Sequence, residues 1–209
     1  MNDNAKTVNV AVLVSGGGTN LQALIDAQTN GILTSGKIRL VISNKADAYA
    51  LQRAEAAGVP TVTVLKKECG SQEAFEDAIM AALDEAEIDV IVLAGFLSIL
   101  SKRFTDRYPE RILNVHPSLI PSFCGEGFYG LKVHEAALAR GVKVTGATVH
   151  FVNEIPDGGR ILLQKAVEIQ PGDTPEVLQR RIMEQAEWIL LPQATEMIAC
   201  EIIDGRTSE

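Results

Sequence analysis

The sequence predicts a single-domain, doubly wound, Rossmann-like α/β fold, its sheet mostly parallel with an antiparallel pair near the C-terminal part. Three observations predict it. Short apolar runs alternate with amphipathic stretches through the first half of the chain. Several of those runs, Val90-Ile91-Val92-Leu93 among them, are apolar on both faces, as strands covered by helices on either side must be. Later in the chain, a pair of strand-like runs is joined by the short linker Asn153-Glu154-Ile155-Pro156-Asp157-Gly158-Gly159, which suits an antiparallel arrangement.

In order, a strand is expected over residues 8–14, then a glycine turn and a helix over 21–29. A strand over 38–42, a helix over 48–57, a strand over 61–64 and a helix over 72–86 continue the alternation. Strands over 90–94 and 112–115 follow, and the first is apolar throughout. Residues 118–130, rich in glycine and aromatics without periodicity, predict a long loop of the kind that often carries function. An amphipathic stretch at 133–139 precedes the paired strands at 145–152 and 160–169. The last helix has start signals in Asp173 or Thr174 as cap, Pro175 in the first turn and Glu176 beside the positive helix end. It is expected to run past Trp188 to about residue 200, with 201–209 a loose tail.

Composition narrows the function classes. With 209 residues, 46% hydrophobic and 22% charged, the chain is ordinary globular material, and no repeat or linker divides it. A formal net charge of −8 argues against nucleic acid as a partner and leaves room for a local basic pocket that takes a small anion. Cys69, Cys124 and Cys200 are dispersed, so neither a disulfide framework nor a zinc site is indicated, and no metal is expected. The opening Met1-Asn2-Asp3-Asn4-Ala5-Lys6 lacks the features of a signal peptide and no apolar run is long enough to span a bilayer. A cytoplasmic protein without membrane partners is the expectation, and a homodimer stays open.

The most informative motif is Asn114-Val115-His116-Pro117-Ser118. On a strand, side chains alternate between faces, so Asn114 and His116 share one side while Val115 takes the other. Pro117 has no N–H for a sheet ladder and ends the strand, leaving a carboxamide and an imidazole at its carboxyl edge, where open α/β sheets bind ligands. A neutral donor beside a titratable base suits a reaction that develops charge on an oxygen and moves a proton, as acyl transfer does. Ser15-Gly16-Gly17-Gly18-Thr19-Asn20 joins a strand to a helix and offers bare amides and a helix amino end to a phosphate. No Lys-Ser/Thr follows the glycines, and Leu21 stands where a dinucleotide fingerprint needs its third glycine, so nucleoside triphosphates and nicotinamides are disfavoured. Asp157-Gly158-Gly159 reads as a turn whose acid can lean on an imidazole and raise its pKa. His134 and His150 read as structural. Glu184 and Glu187, three apart on the last helix, fall on one face, and Leu93, Leu97, Ile99 and Leu100 are either core or the wall of an apolar slot.

Taken together, Val14-Ser15-Gly16-Gly17-Gly18-Thr19-Asn20-Leu21, Ser43-Asn44-Lys45-Ala46, Leu93-Ala94-Gly95-Phe96, Asn114-Val115-His116-Pro117-Ser118-Leu119-Ile120-Pro121, His150-Phe151-Val152 and Asp157-Gly158-Gly159 closely resemble the phosphoribosylglycinamide formyltransferase family of purine synthesis. The resemblance covers nearly the whole chain. It implies transfer of a formyl group from 10-formyltetrahydrofolate to glycinamide ribonucleotide, with Asn114, His116 and Asp157 as catalytic triad and Asp157 keeping His116 charged. It assigns the substrate phosphate to Gly18, Thr19 and Asn20, ribose or glycinamide contacts to Glu187, and a lesser contact to Glu184. The folate would lie along Leu97, Ser98, Ile99 and Leu100, with Asn114 and the stretch Asn153, Glu154, Ile155, Pro156 and Asp157. Residues 1–110 then form a phosphate-substrate-binding half and 111–200 a catalytic and folate-binding half. The chain departs from some members in carrying Gln72, with Lys66 and Lys67 as nearest cations, where they have an arginine near the folate tail, and in a longer 118–130 loop. A formyltetrahydrofolate hydrolase, an initiator-tRNA formyltransferase and a non-catalytic phosphometabolite binder are the rivals. The hydrolase would bring an amino-terminal regulatory domain and the tRNA enzyme a basic carboxyl-terminal domain, neither of which is expected here.

Overall fold

The computed structural model describes residues 7–207. The reading of Met1 to Lys6 and of the last two tail residues lies outside the described residues. The chain divides into two compact units, Met1–Leu100 with Thr195–Glu209, and Ser101–Ala194.

The first unit contains β1 (Val8–Val14), α1 (Thr19–Thr29), β2 (Gly36–Ser43), α2 (Tyr49–Ala56), β3 (Thr61–Thr63), α3 (Lys66–Cys69), α4 (Gln72–Glu85) and β4 (Val90–Leu93). Its strands lie in the order β3-β2-β1-β4 and every pairing among them is parallel. β1 and β4 are apolar because both their faces are covered: Val10, Val12, Leu13 and Val14 are fully buried, as are Val90, Ile91 and Val92. The one-turn helix α3 was not expected, since four residues carry no readable period. α4 starts where Ser71 accepts the Ala74 N–H, which satisfies one of the open amides of its first turn.

The second unit contains α5 (Lys102–Arg107), β5 (Ile112–His116), α6 (Leu131–Arg140), β6 (Val144–Phe151), β7 (Ile161–Glu168), α7 (Pro175–Ile182) and a π turn (Met183–Glu187). α8 (Trp188–Thr207) begins in this unit and ends in the first. β6 pairs antiparallel with β7, as the sequence led one to expect, and also with β5. β5 ends at His116, where Pro117 removes the next ladder donor. Residues 118–130 contain no regular helix or strand. Thr174, not Asp173, caps α7, with Pro175 at its start; Asp173 instead holds Arg181 in a two-pronged ion pair.

The last helix runs past Trp188 as expected, with a π turn within it, and one expectation is corrected: its end is not loose from residue 201, because α8 persists to Thr207. Packing explains the persistence: Ile198, Ala199 and Ile202 are buried, and Glu196 accepts hydrogen bonds from the backbone of Thr34 and Ser35. Among the described residues no helix is long and apolar enough to cross a membrane.

Candidate active site

In the second unit, strand alternation places Asn114 and His116 two residues apart on β5, and antiparallel register sets His150 of β6 directly opposite Asn114. The linker between β6 and β7 brings Asp157 to the same place. Asp157 sits at a positive φ of 55°, a conformation aspartate tolerates better than most residues. Two positions on, Gly159 is required, since a Cβ there would come within 1.8 Å of the Phe151 carbonyl oxygen.

The four groups form one cluster of hydrogen bonds and ion-pair contacts. His116 Nδ1 lies 3.4 Å from Asp157 Oδ2, and His150 Nε2 lies 3.5 Å from Asp157 Oδ1. His150 Nδ1 donates to the Phe151 carbonyl at 2.7 Å, which leaves Nε2 to accept from the Asn114 carboxamide at 3.1 Å. A proton on Nε2 would instead be shared with Asp157. In the neutral state one Asn114 N–H is spent on His150 and the second is free for a ligand. The 118–130 loop supplies two further contacts: the Phe123 carbonyl accepts from His116 Nε2 at 2.8 Å, and the Gly125 N–H donates to Asp157 Oδ2 at 2.8 Å.

Burial and charge oppose each other here. Burial pushes the His116 imidazole below its ordinary value; the Asp157 charge and the bond to Phe123 pull it upward but do not overcome the loss of solvent. Asp157 therefore offsets part of the cost of burying the imidazolium, and desolvation remains the larger of the two effects. For Asp157 the balance tips the other way. Burial would raise it, but the two imidazoles and the Gly125 N–H together hold its carboxyl below the usual range. The sequence reads His150 and His134 as structural. The structure puts His150 in the cluster, and the signal available beforehand was its position opposite Asn114 once the strands are paired. His134, on α6, is 1% exposed with both ring nitrogens unpartnered, and burial holds its pKa down to about 4.

The two glutamates separate. Glu184 is exposed and paired with Arg180, whereas Glu187 is 5% exposed, because the wider π turn breaks the α spacing that would have put them on one face. On the Asn153 to Asp157 stretch, Asn153 accepts the Ile155 N–H and the Ile155 side chain is exposed.

In the first unit, Gly18 takes the left-handed conformation and caps α1, so Thr19 is the first helical residue and neither it nor Asn20 is the cap. A Cβ on Gly18 would lie 2.6 Å from that of Ala50. After β4 the segment from Leu97 to Ile99 is held by three side chains: Ser15 accepts the Leu97 N–H, Asn44 donates to the Ser98 hydroxyl, and Gln72 donates to the Ile99 carbonyl. This pinned segment exposes Leu97 and Ile99 while Leu100 is buried. A fixed apolar surface of that kind fits a flat aromatic ring.

An α/β unit with a strand-to-helix glycine turn, and a second unit with an amide, an imidazole and a carboxylate in mutual reach, define an enzyme of the group-transfer class. Residues 8–195 match the formyl transferase family, and the chain belongs to it. It is 46% identical to the phosphoribosylglycinamide formyltransferase of Haemophilus influenzae, covering 84% of this chain and 80% of that one. Against the human trifunctional purine biosynthetic protein adenosine-3 the identity is also 46%, over 93% of this chain, which spans 18% of that protein's length. Among solved structures, glycinamide ribonucleotide transformylase 1 of Symbiobacterium toebii is 39% identical with a TM-score of 0.89, over 96% of this chain and 92% of that one.

Proposed function

We propose that this chain transfers the formyl group of 10-formyltetrahydrofolate to the amine of glycinamide ribonucleotide, giving formylglycinamide ribonucleotide and tetrahydrofolate in purine biosynthesis. Its relatives of similar length are named for this activity. The observation that carries the reading is the assembly of Asn114, His116 and Asp157 into one cluster.

The chemistry follows from those groups. As the amine attacks the formyl carbon, negative charge grows on the formyl oxygen, and the free N–H of Asn114 donates to it. His116, once protonated, adds its charge and gives its Nε2 proton, released from the Phe123 carbonyl, to the departing folate nitrogen as the bond from the formyl carbon to that nitrogen breaks, and the proton shed by the attacking amine returns to His116. Asp157 accepts from His116 Nδ1 and offsets the imidazolium charge that burial disfavours. In the first unit, the backbone of Gly18, Thr19 and Asn20 takes the phosphate, and Leu97, Ser98 and Ile99 face the folate. In the second, Glu187 accepts from the ribonucleotide, and Asn153 to Asp157 contribute to the folate. Glu184, paired with Arg180, is the weakest assignment. Gln72 is neutral and donates to Glu76 and to the Ile99 carbonyl, so that position offers the folate tail no cation. The reading takes the cytoplasm as the site of the reaction and leaves a homodimer open.

The test is a spectrophotometric assay of folate product from a 10-formyl folate, with and without glycinamide ribonucleotide. Turnover that requires the ribonucleotide supports the transferase. Equal turnover without it would make the protein a hydrolase, and none in either tube would leave a binding module.

A further inference from the structure

The glycine turn is flanked by α2, and two consecutive carbonyls of the turn point into that helix. Ala50 N–H donates to the Gly16 carbonyl at 3.0 Å, and Arg53 Nε donates to the Gly17 carbonyl at 2.8 Å. In a planar trans peptide the carbonyl and the following N–H point in opposite directions. The amides of Gly17 and Gly18 therefore face away from α2. Gly16 and Gly17 are exposed and Gly18 is half-buried, so the turn is within reach of solvent on the side away from α2. Two adjacent amides directed the same way make an anion-binding concavity.

We propose that Arg53 is a positioning residue of this turn, fixing the peptide planes that present the Gly17 and Gly18 amides to the ribonucleotide's phosphate; the proposal rests on the functional reading above. Arg53 is itself immobilised. Its Nη1 donates to Gln22 Oε1 at 3.0 Å, and its guanidinium lies 5.0 Å over the Tyr49 ring. The planar fork serves Gly17 and Gln22 at once, which a single ammonium cannot do. Without it, the Gly16 carbonyl keeps its backbone partner in α2, but the Gly17 peptide is free to rotate and turn its carbonyl toward the anion. The guanidinium also adds a permanent positive charge beside the turn.

The experiment compares wild type with Arg53→Met and Arg53→Lys. It measures KM for each substrate, inhibition by inorganic phosphate competing with the ribonucleotide, and the melting temperature. The expected result is a rise of about tenfold in both the ribonucleotide KM and the phosphate Ki for Arg53→Met, with the 10-formyl folate KM within about twofold. Arg53→Lys should recover some of the loss, and it carries the measurement should Arg53→Met fail to fold. Phosphate that competes equally well in wild type and both variants overturns the role of Arg53 while leaving the phosphate reading intact. Equal rises in both substrates' KM also overturn it, because they report general disorder. Phosphate that fails to compete even in wild type removes the glycine turn as the phosphate site, and this inference with it.

Discussion

At the residue scale, Asp157 is the most exposed to a clean test. Asp157→Asn keeps the side chain's shape and an oxygen that can still accept the Gly125 N–H, so the linker should keep its conformation. It removes the charge that offsets burial of the His116 imidazolium, and kcat should fall by about 10²-fold or more. Steady-state kinetics beside a circular dichroism melt checks this, and near-wild-type turnover would take Asp157 out of the mechanism. His134 makes a separate prediction about stability. Unfolded, it binds a proton near its ordinary value of 6.5, whereas folded it does so only near 4, because burial penalises the charged form. Over that interval the unfolded state holds more protons, so stability is fully present above about pH 6.5 and falls as pH drops toward 4. Urea midpoints measured across that interval, from about pH 6.5 down to about 4, should decline in wild type and decline less in His134→Leu.

At the scale of elements, the glycine turn between β1 and α1 tolerates little change at Gly18. Gly18→Ala forces a left-handed alanine and drives its Cβ against Ala50, so it should destabilise the fold by about 1–3 kcal/mol. A denaturant titration reads that loss directly, and an unchanged midpoint would mean the turn can relax without α2. The helix caps act more gently. Replacing Thr174 by alanine removes the acceptor for the Val177 N–H and should cost about 1 kcal/mol. The π turn after α7 shows how an element can defeat a pattern: Glu184 and Glu187 keep helical spacing in sequence, yet one is solvated and the other buried.

At the scale of the whole molecule, α8 returns the chain to the first unit, where Glu196 holds residues some 160 positions earlier through the backbone amides of Thr34 and Ser35. Glu196→Ala strands the half-buried Ser35 N–H and leaves the exposed Thr34 N–H to water, and thermal denaturation should register a loss of about 1 kcal/mol. Much of the architecture was legible because it rests on local signals. Strand alternation, apolar runs and turn residues locate β1, β2, β4, β5 and the β6–β7 pair, and period 2 along β5 puts Asn114 and His116 on one side. The glycine turn likewise carries its own chemistry in consecutive residues. What depends on distant segments meeting was not legible. Only strand pairing sets His150 against Asn114, only packing keeps residues beyond 200 helical, and only the balance of burial against charge decides that His116 is pushed down despite Asp157. A local pattern fixes which way a side chain points, but its partners and its solvent are set by residues far along the chain, and those the tertiary structure alone decides.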